Sequence, residues 1–129
     1  RSLVVDFYCA TPAVHDPLRR QRLMGIRDRA PGHDIAERAG RALAIAYQTL
    51  DDIDDRAADL AIAAPNICLS LEASGYAPDQ AQVLACDRAS SALHTARREA
   101  CALPNNVGGS FLRLADRLEI QLEAIVNAT

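Results

Sequence analysis

The chain has 129 residues with a net charge of -3; half of them are apolar, only 4% are aromatic and none is tryptophan. That length bounds the expectation at a single helical domain, residues 1–129, with a modest core. The acidic balance argues against a nucleic-acid partner, and no apolar run approaches the roughly 18 residues that cross a bilayer.

Ala, Leu and Ile dominate the apolar set, which favours tightly packed helices over a sheet, so the expected fold is all-α. In chain order, an apolar segment runs from Ser2 to Thr11 and stops at Pro12. An arginine-rich helix is expected from Pro17 to Asp28, proline suiting a first turn. Its Arg19, Arg20, Arg22, Arg27 and Arg29 read either as a solvated basic face or as a surface for diphosphate or a partner. Ala30-Pro31-Gly32-His33 breaks it, and Asp34 is placed to cap the next helix.

The following helix is the longest, predicted from Ile35 to Ala63. Ile35, Ala39, Leu43, Ala46, Leu50, Ile53, Ala57 and Leu60 recur at three- and four-residue steps, a core stripe. A short helix from Pro65 to Glu72 should stop at Gly75, and Pro78 should open another. That helix carries Val83, Cys86, Ala89, Leu93, Ala96 and Ala100 as its apolar face. Leu103 to Gly109 reads as a turn before a last helix that buries Phe111, Leu114, Leu118, Leu122 and Ile125. Cys9, Cys68, Cys86 and Cys101 sit among apolar neighbours without metal-ligand spacing, so free, buried thiols are expected. With no export signal in the sequence, a cytoplasmic setting follows as the expectation.

The chemistry-bearing stretch is Tyr47-Gln48-Thr49-Leu50-Asp51-Asp52-Ile53-Asp54-Asp55. Aspartate is a poor helix former, and like charges one turn apart repel. A hard divalent ion such as Mg²⁺ would offset that cost by taking carboxylate oxygens while keeping several waters. The alternative is a solvated acidic face with no ligand. Gln48, Asp51, Asp52, Asp55 and Asp59 are expected on the side of the helix opposite the apolar stripe, a side that is either solvent or a cavity wall. There, replacing Asp51 or Asp52 by alanine relieves repulsion and leaves the fold intact or slightly more stable.

The small-residue helix from Gly40, the Tyr47-Gln48 pair and then Asp51-Asp52-x-x-Asp55 resemble the second aspartate-rich region of trans-isoprenyl diphosphate synthases. The resemblance covers the C-terminal half of that family and implies a helical bundle equivalent to half of an isoprenoid-synthase fold. It also implies Mg²⁺-dependent prenyl transfer, in which an allylic diphosphate condenses with isopentenyl diphosphate. Carried over residue by residue, Asp51, Asp52 and Asp55 would bind metal. Gln48 would sit by a diphosphate or the isopentenyl group, and Tyr47 would present its ring to a cationic carbon. Arg1-Ser2 stands roughly where the family has a diphosphate-gripping Lys-Thr, and arginine can grip phosphate bidentately.

The departures bear on the activity. The family's first aspartate-rich motif is absent, and Asp55-Arg56-Ala57-Ala58-Asp59 runs on towards Pro65 without the usual Gly-Lys loop. The family's basic C-terminal tail is also missing. The resemblance therefore implies a second chain, or an upstream segment, that supplies the first motif. A non-catalytic helical subunit of a synthase, a terpene cyclase of the same fold and a small helical interaction module remain as alternatives.

Overall fold

The computed structural model describes residues 32–128. The expectations for Ser2–Thr11, for the arginine-rich stretch, for Cys9 and for Arg1-Ser2 lie outside these residues. Five helices follow one another: α1 His33–Asp54, α2 Arg56–Ala61, α3 Ile67–Ala73, α4 Pro78–Cys101 and α5 Asn105–Ala128. No strand occurs among the described residues. The all-α expectation holds.

The long helices α1, α4 and α5 pack pairwise around one core, and α3 closes the side formed by α4 and α1. Two cross-helix pairs show that α1 and α4 run antiparallel. Arg38 meets Glu99 at one end, and Arg88 Nε donates to Thr49 Oγ1 at 3.3 Å towards the other. Arg97 of α4 bridges Asp116 and Glu119 of α5 at 2.8 and 3.0 Å, while Ala100, further along α4, meets Gly108 near the start of α5, so the two helices run antiparallel.

Alanine makes this packing close. On α4 the buried positions include Ala81, Ala85, Ala89, Ala92, Ala96 and Ala100, a seam stepping by three and four residues. Ala39, Ala42 and Ala46 of α1 are buried too, while Leu43, Leu50, Leu93, Leu118 and Leu122 supply the bulk of the core. Small side chains bring helix axes near one another and leave few large residues to hold the core. Gly108 shows how near: a Cβ there would lie 2.5 Å from the Ala100 carbonyl oxygen. That crossing explains why α5 starts at Asn105 and takes both Gly108 and Gly109 into the helix, where the sequence suggested a turn.

Four other expectations are corrected. α1 does not run unbroken to Ala63: Asp55 (φ -95°, ψ 9°) interrupts it, and α2 follows as a separate helix of six residues. Downstream of that break the apolar stripe loses the core, leaving Ala57 exposed and Leu60 57% exposed. Val83 and Leu114 also face outward, because the alanine seam of α4 and the Ala115–Leu118–Leu122 row of α5 fill the contact instead. The cap is different as well. Gly32, in the left-handed region at φ +87°, precedes α1 without a side-chain cap, and Asp34 lies inside the first turn, where its charge favours the helix dipole.

The thiols of Cys68, Cys86 and Cys101 are free, as expected, but only Cys68 is fully buried and Cys101 is exposed. Burial pushes the Cys68 and Cys86 thiols up from their ordinary values, with neighbouring carboxylates adding to the effect. No helix is long and apolar enough to cross a membrane among the described residues.

Candidate functional site: the acidic end of α1

The aspartates of α1 and α2 divide into two sets with different work. Asp52 and Asp59 turn towards the link between α2 and α3. Asp52 Oδ2 accepts the Ile67 backbone N–H at 2.9 Å, and its Oδ1 accepts from Gln48 Nε2 at 3.0 Å. Ile67 opens α3, so its N–H has no partner within the helix, and Asp52 caps it from a different element.

Asn66 completes this joint. It is only 4% exposed, and its side chain uses every hydrogen-bonding group it has. Nδ2 donates to the Asp52 carbonyl at 2.7 Å and to Asp59 Oδ2 at 2.9 Å, while Oδ1 accepts the Cys68 N–H at 2.8 Å. A buried polar side chain is tolerable when fully bonded, and here it ties the end of α1 to the start of α3. Arg56 strengthens the same joint by gripping both oxygens of Glu72 on α3. That bidentate pair holds the Glu72 carboxyl below its ordinary value.

Asp51, Asp54 and Asp55 form the outward set. Asp51 is half-buried, Asp54 and Asp55 are exposed, and Asp54 Oδ2 accepts a long 3.4 Å bond from Gln121 of α5. The Asp55 carboxyl is raised from its ordinary value, chiefly by the charge of Asp51 one turn away. Tyr47 lies one turn before Asp51 and is 59% exposed; Gln48 is exposed beside it. Thus Tyr47, Asp51 and Asp55 follow one another along the open side of α1, whereas Asp52, with Gln48 bonded to it, and Asp59 turn towards α3. The expectation that all five polar groups share one face is corrected, since the break at Asp55 and the docking of α3 draw two of them inward.

The donor set suits a hard cation in kind. Asp51 and Asp55, paired carboxylates one turn apart of which the first raises the second, are a place where a divalent ion would relieve repulsion, and Mg²⁺ takes only one or two carboxylates, the remainder being water and phosphate oxygen. Asp51, Asp52 and Asp55 do not bring three ligand atoms together. Among the described residues, the trio whose ligand atoms lie within 4.8 Å of one another is His33, Asp34 and Glu37, exposed in the first turn of α1. Glu37 also pairs with Arg41 at 3.1 Å.

Sequence reasoning missed Asn66 and Glu72. Asn66 was findable, since asparagine directly before an apolar run is a helix-start signal. The Arg56–Glu72 pair joins residues on two short helices, and no local pattern announces it. Comparison of the chain with family models, curated proteins and solved structures finds no match.

Proposed function

We propose that this chain is the half of a Mg²⁺-dependent prenyltransferase that carries the second aspartate-rich motif. The reading rests on one observation: the Tyr47-Gln48-x-x-Asp51-Asp52-x-x-Asp55 pattern runs along the last turns of α1 to the residue that ends it, with Tyr47, Gln48 and Asp55 exposed and Asp51 half-buried. In this role Asp51 and Asp55 hold the ion, with Asp52 contributing whichever lone pairs its bonds to Ile67 and Gln48 leave. Bound there, Mg²⁺ would act as a Lewis acid on a diphosphate leaving group.

The chain's own groups do the rest. Gln48 carries an amide that can turn from Asp52 to a diphosphate oxygen. Tyr47 offers an aromatic face to a developing allylic cation, an attraction of about 0.5–2 kcal/mol depending on desolvation. The substrates are an allylic diphosphate and isopentenyl diphosphate, and the first aspartate-rich motif comes from a second chain or an upstream segment. A regulatory subunit or a terpene cyclase would use the same acidic end differently.

A second reading has its own support. Asp52 and Asp59 are engaged in holding α3, so part of the acidic cluster has a structural reason to exist. On this reading the chain is a helical interaction module and Asp51, Asp54 and Asp55 are solvated. Calorimetric titration separates the two. The prenyltransferase half should bind inorganic diphosphate only with Mg²⁺ present, and Asp51→Asn with Asp55→Asn should weaken that binding at least tenfold. Equal, weak or absent binding by both proteins would favour the interaction module. The isolated chain should not turn over the two diphosphates, and turnover by it would refute the need for a second half.

A further inference from the structure

The described charges are distributed unevenly along the bundle. Residues 51–88 and 121–128, which make up the end where α1 finishes, α4 begins and α5 finishes, carry nine carboxylates against two arginines. The remaining described residues carry five carboxylates and six arginines. The excess of negative over positive charge is therefore confined to one end, and both arginines there have protein partners, Arg56 with Glu72 and Arg88 with Thr49.

The same end exposes apolar side chains that the core does not use. Two adjoining hollows of about 290 and 360 Å³ share Asp79 and Val83. Cys86, Asp87 and Val126 line the first, and Tyr76 and Leu84 line the second. Val83 is 59% exposed and Val126 51%, so the groove has an apolar floor with carboxylates along its edge. Such a surface selects a segment that is apolar and cationic together.

The chain contains a segment of that chemistry. Residues 17–29 hold Leu18, Leu23, Met24 and Ile26 among five arginines and one aspartate. They lie outside the described residues. They end three residues before Gly32, which starts α1 at the other end of the bundle. The 22 residues of α1 at about 1.5 Å each put roughly 33 Å between that point and the groove. Three peptide steps, at most about 11 Å, separate Arg29 from Gly32, so the end of the segment that carries Arg27 and Arg29 cannot reach the groove of its own chain.

We propose that the chain pairs with a second copy of itself, the arginine-rich segment 17–29 of each copy occupying the Val83–Val126 groove of the other. The arrangement is isologous, so one two-fold axis satisfies both grooves and closes the assembly. It does not depend on the prenyltransferase reading.

Sedimentation of the full chain tests it. The dimer should weaken at least tenfold in dissociation constant between low and high sodium chloride, because the pairing is electrostatic at its rim. Arg19→Glu with Arg20→Glu and Arg22→Glu should yield a monomer with unchanged helical circular dichroism. Val83→Ser with Val126→Ser should do the same through the groove. Adding Asp79→Arg and Asp87→Arg to the glutamate variant should restore association. A monomer at every concentration overturns the proposal. So does a dimer indifferent to salt, or one that survives the arginine substitutions, since another surface or another occupant would then be responsible.

Discussion

Replacing Asp52 by alanine tests whether this carboxylate is held in place for structural work. The substitution removes the acceptor of the Ile67 N–H at 2.9 Å and of Gln48 Nε2 at 3.0 Å. The Gln48 amide is exposed and turns to water at little cost. The Ile67 N–H opens α3 in a part-buried joint, so its loss resembles removal of a helix cap, about 0.5–2 kcal/mol. Relief of repulsion among the aspartates recovers a few tenths of a kcal/mol, the usual size of a like-charge pair one turn apart. A net loss of about 1 kcal/mol should lower the melting temperature by roughly 4–8 °C in a domain of this size. Asp52→Asn keeps a carbonyl oxygen for Ile67 and should recover most of the loss. Asp51→Ala touches no such bond and should melt at or above the parent. Thermal melts followed by circular dichroism at neutral pH make the comparison. If Asp52→Ala melts together with Asp51→Ala, the capping argument is wrong, and the two aspartates are equivalent surface charges as the sequence alone suggested.

Gly108→Ala should destabilise by about 1–3 kcal/mol in a urea titration, because the new methyl would sit 2.5 Å from the Ala100 carbonyl and push α4 and α5 apart. Ala63→Gly should stabilise by about 0.5–1 kcal/mol: Ala63 takes φ +56° where α2 ends, and the Ala64 N–H reaches back to the Asp59 carbonyl at 2.9 Å, a helix stop that glycine adopts without strain. Glu72 titrates lower in the folded chain than its ordinary 4.5, so its ionised pair with Arg56 favours folding above that value and loses the advantage as pH falls through the folded pKa. Glu72→Gln should therefore melt lower than the parent at pH 7, with the gap closing in acid. Asp55 is shifted the other way, mainly by Asp51, so its ionisation opposes folding at neutral pH. Asp55→Asn should melt higher than the parent at pH 7 and alike once the carboxyl is protonated.

Helix class and order were legible because periodicity and punctuation agree. Pro78 opens α4 at its first position, and Gly75 at φ +114° ends α3, with the Tyr76 N–H reaching the Leu71 carbonyl. Which apolar residue faced the core was less legible in α4, since an alanine seam and the Val83 position share nearly the same spacing. Periodicity gives a stripe; packing partners decide its centre. The break at Asp55 was hidden because Ala57 and Leu60 continue the stripe through it. Its cause lies 11 residues downstream, where Asn66 seizes the Asp52 carbonyl and Asp59 carboxylate. Long-range side-chain bonds of this kind leave no periodic signature. The residues of the candidate site were visible as a motif, but their division into two sets follows from the docking of α3.

That division changes what the acidic cluster can mean. A run of five aspartates in nine residues looks like a single device, and its repulsion calls for one neutralising partner. In the fold, the carboxylates of Asp52 and Asp59 accept hydrogen bonds from the Ile67 N–H and the Asn66 side chain, which gives both a structural task in the joint with α3. The largest repulsion on Asp55 comes from Asp51, with Asp59, Asp54 and Asp52 adding to it, and Asp55 bears it as a raised carboxyl. A cation bound here would act on that pair first. Loss of the joint by contrast would free α3 and let α2 swing, disordering Asp55 with it. Asp52 thus serves as a positioning residue for the outward pair under either functional reading. Substituting it confounds stability with binding, while Asp51→Asn and Asp55→Asn address the ion alone.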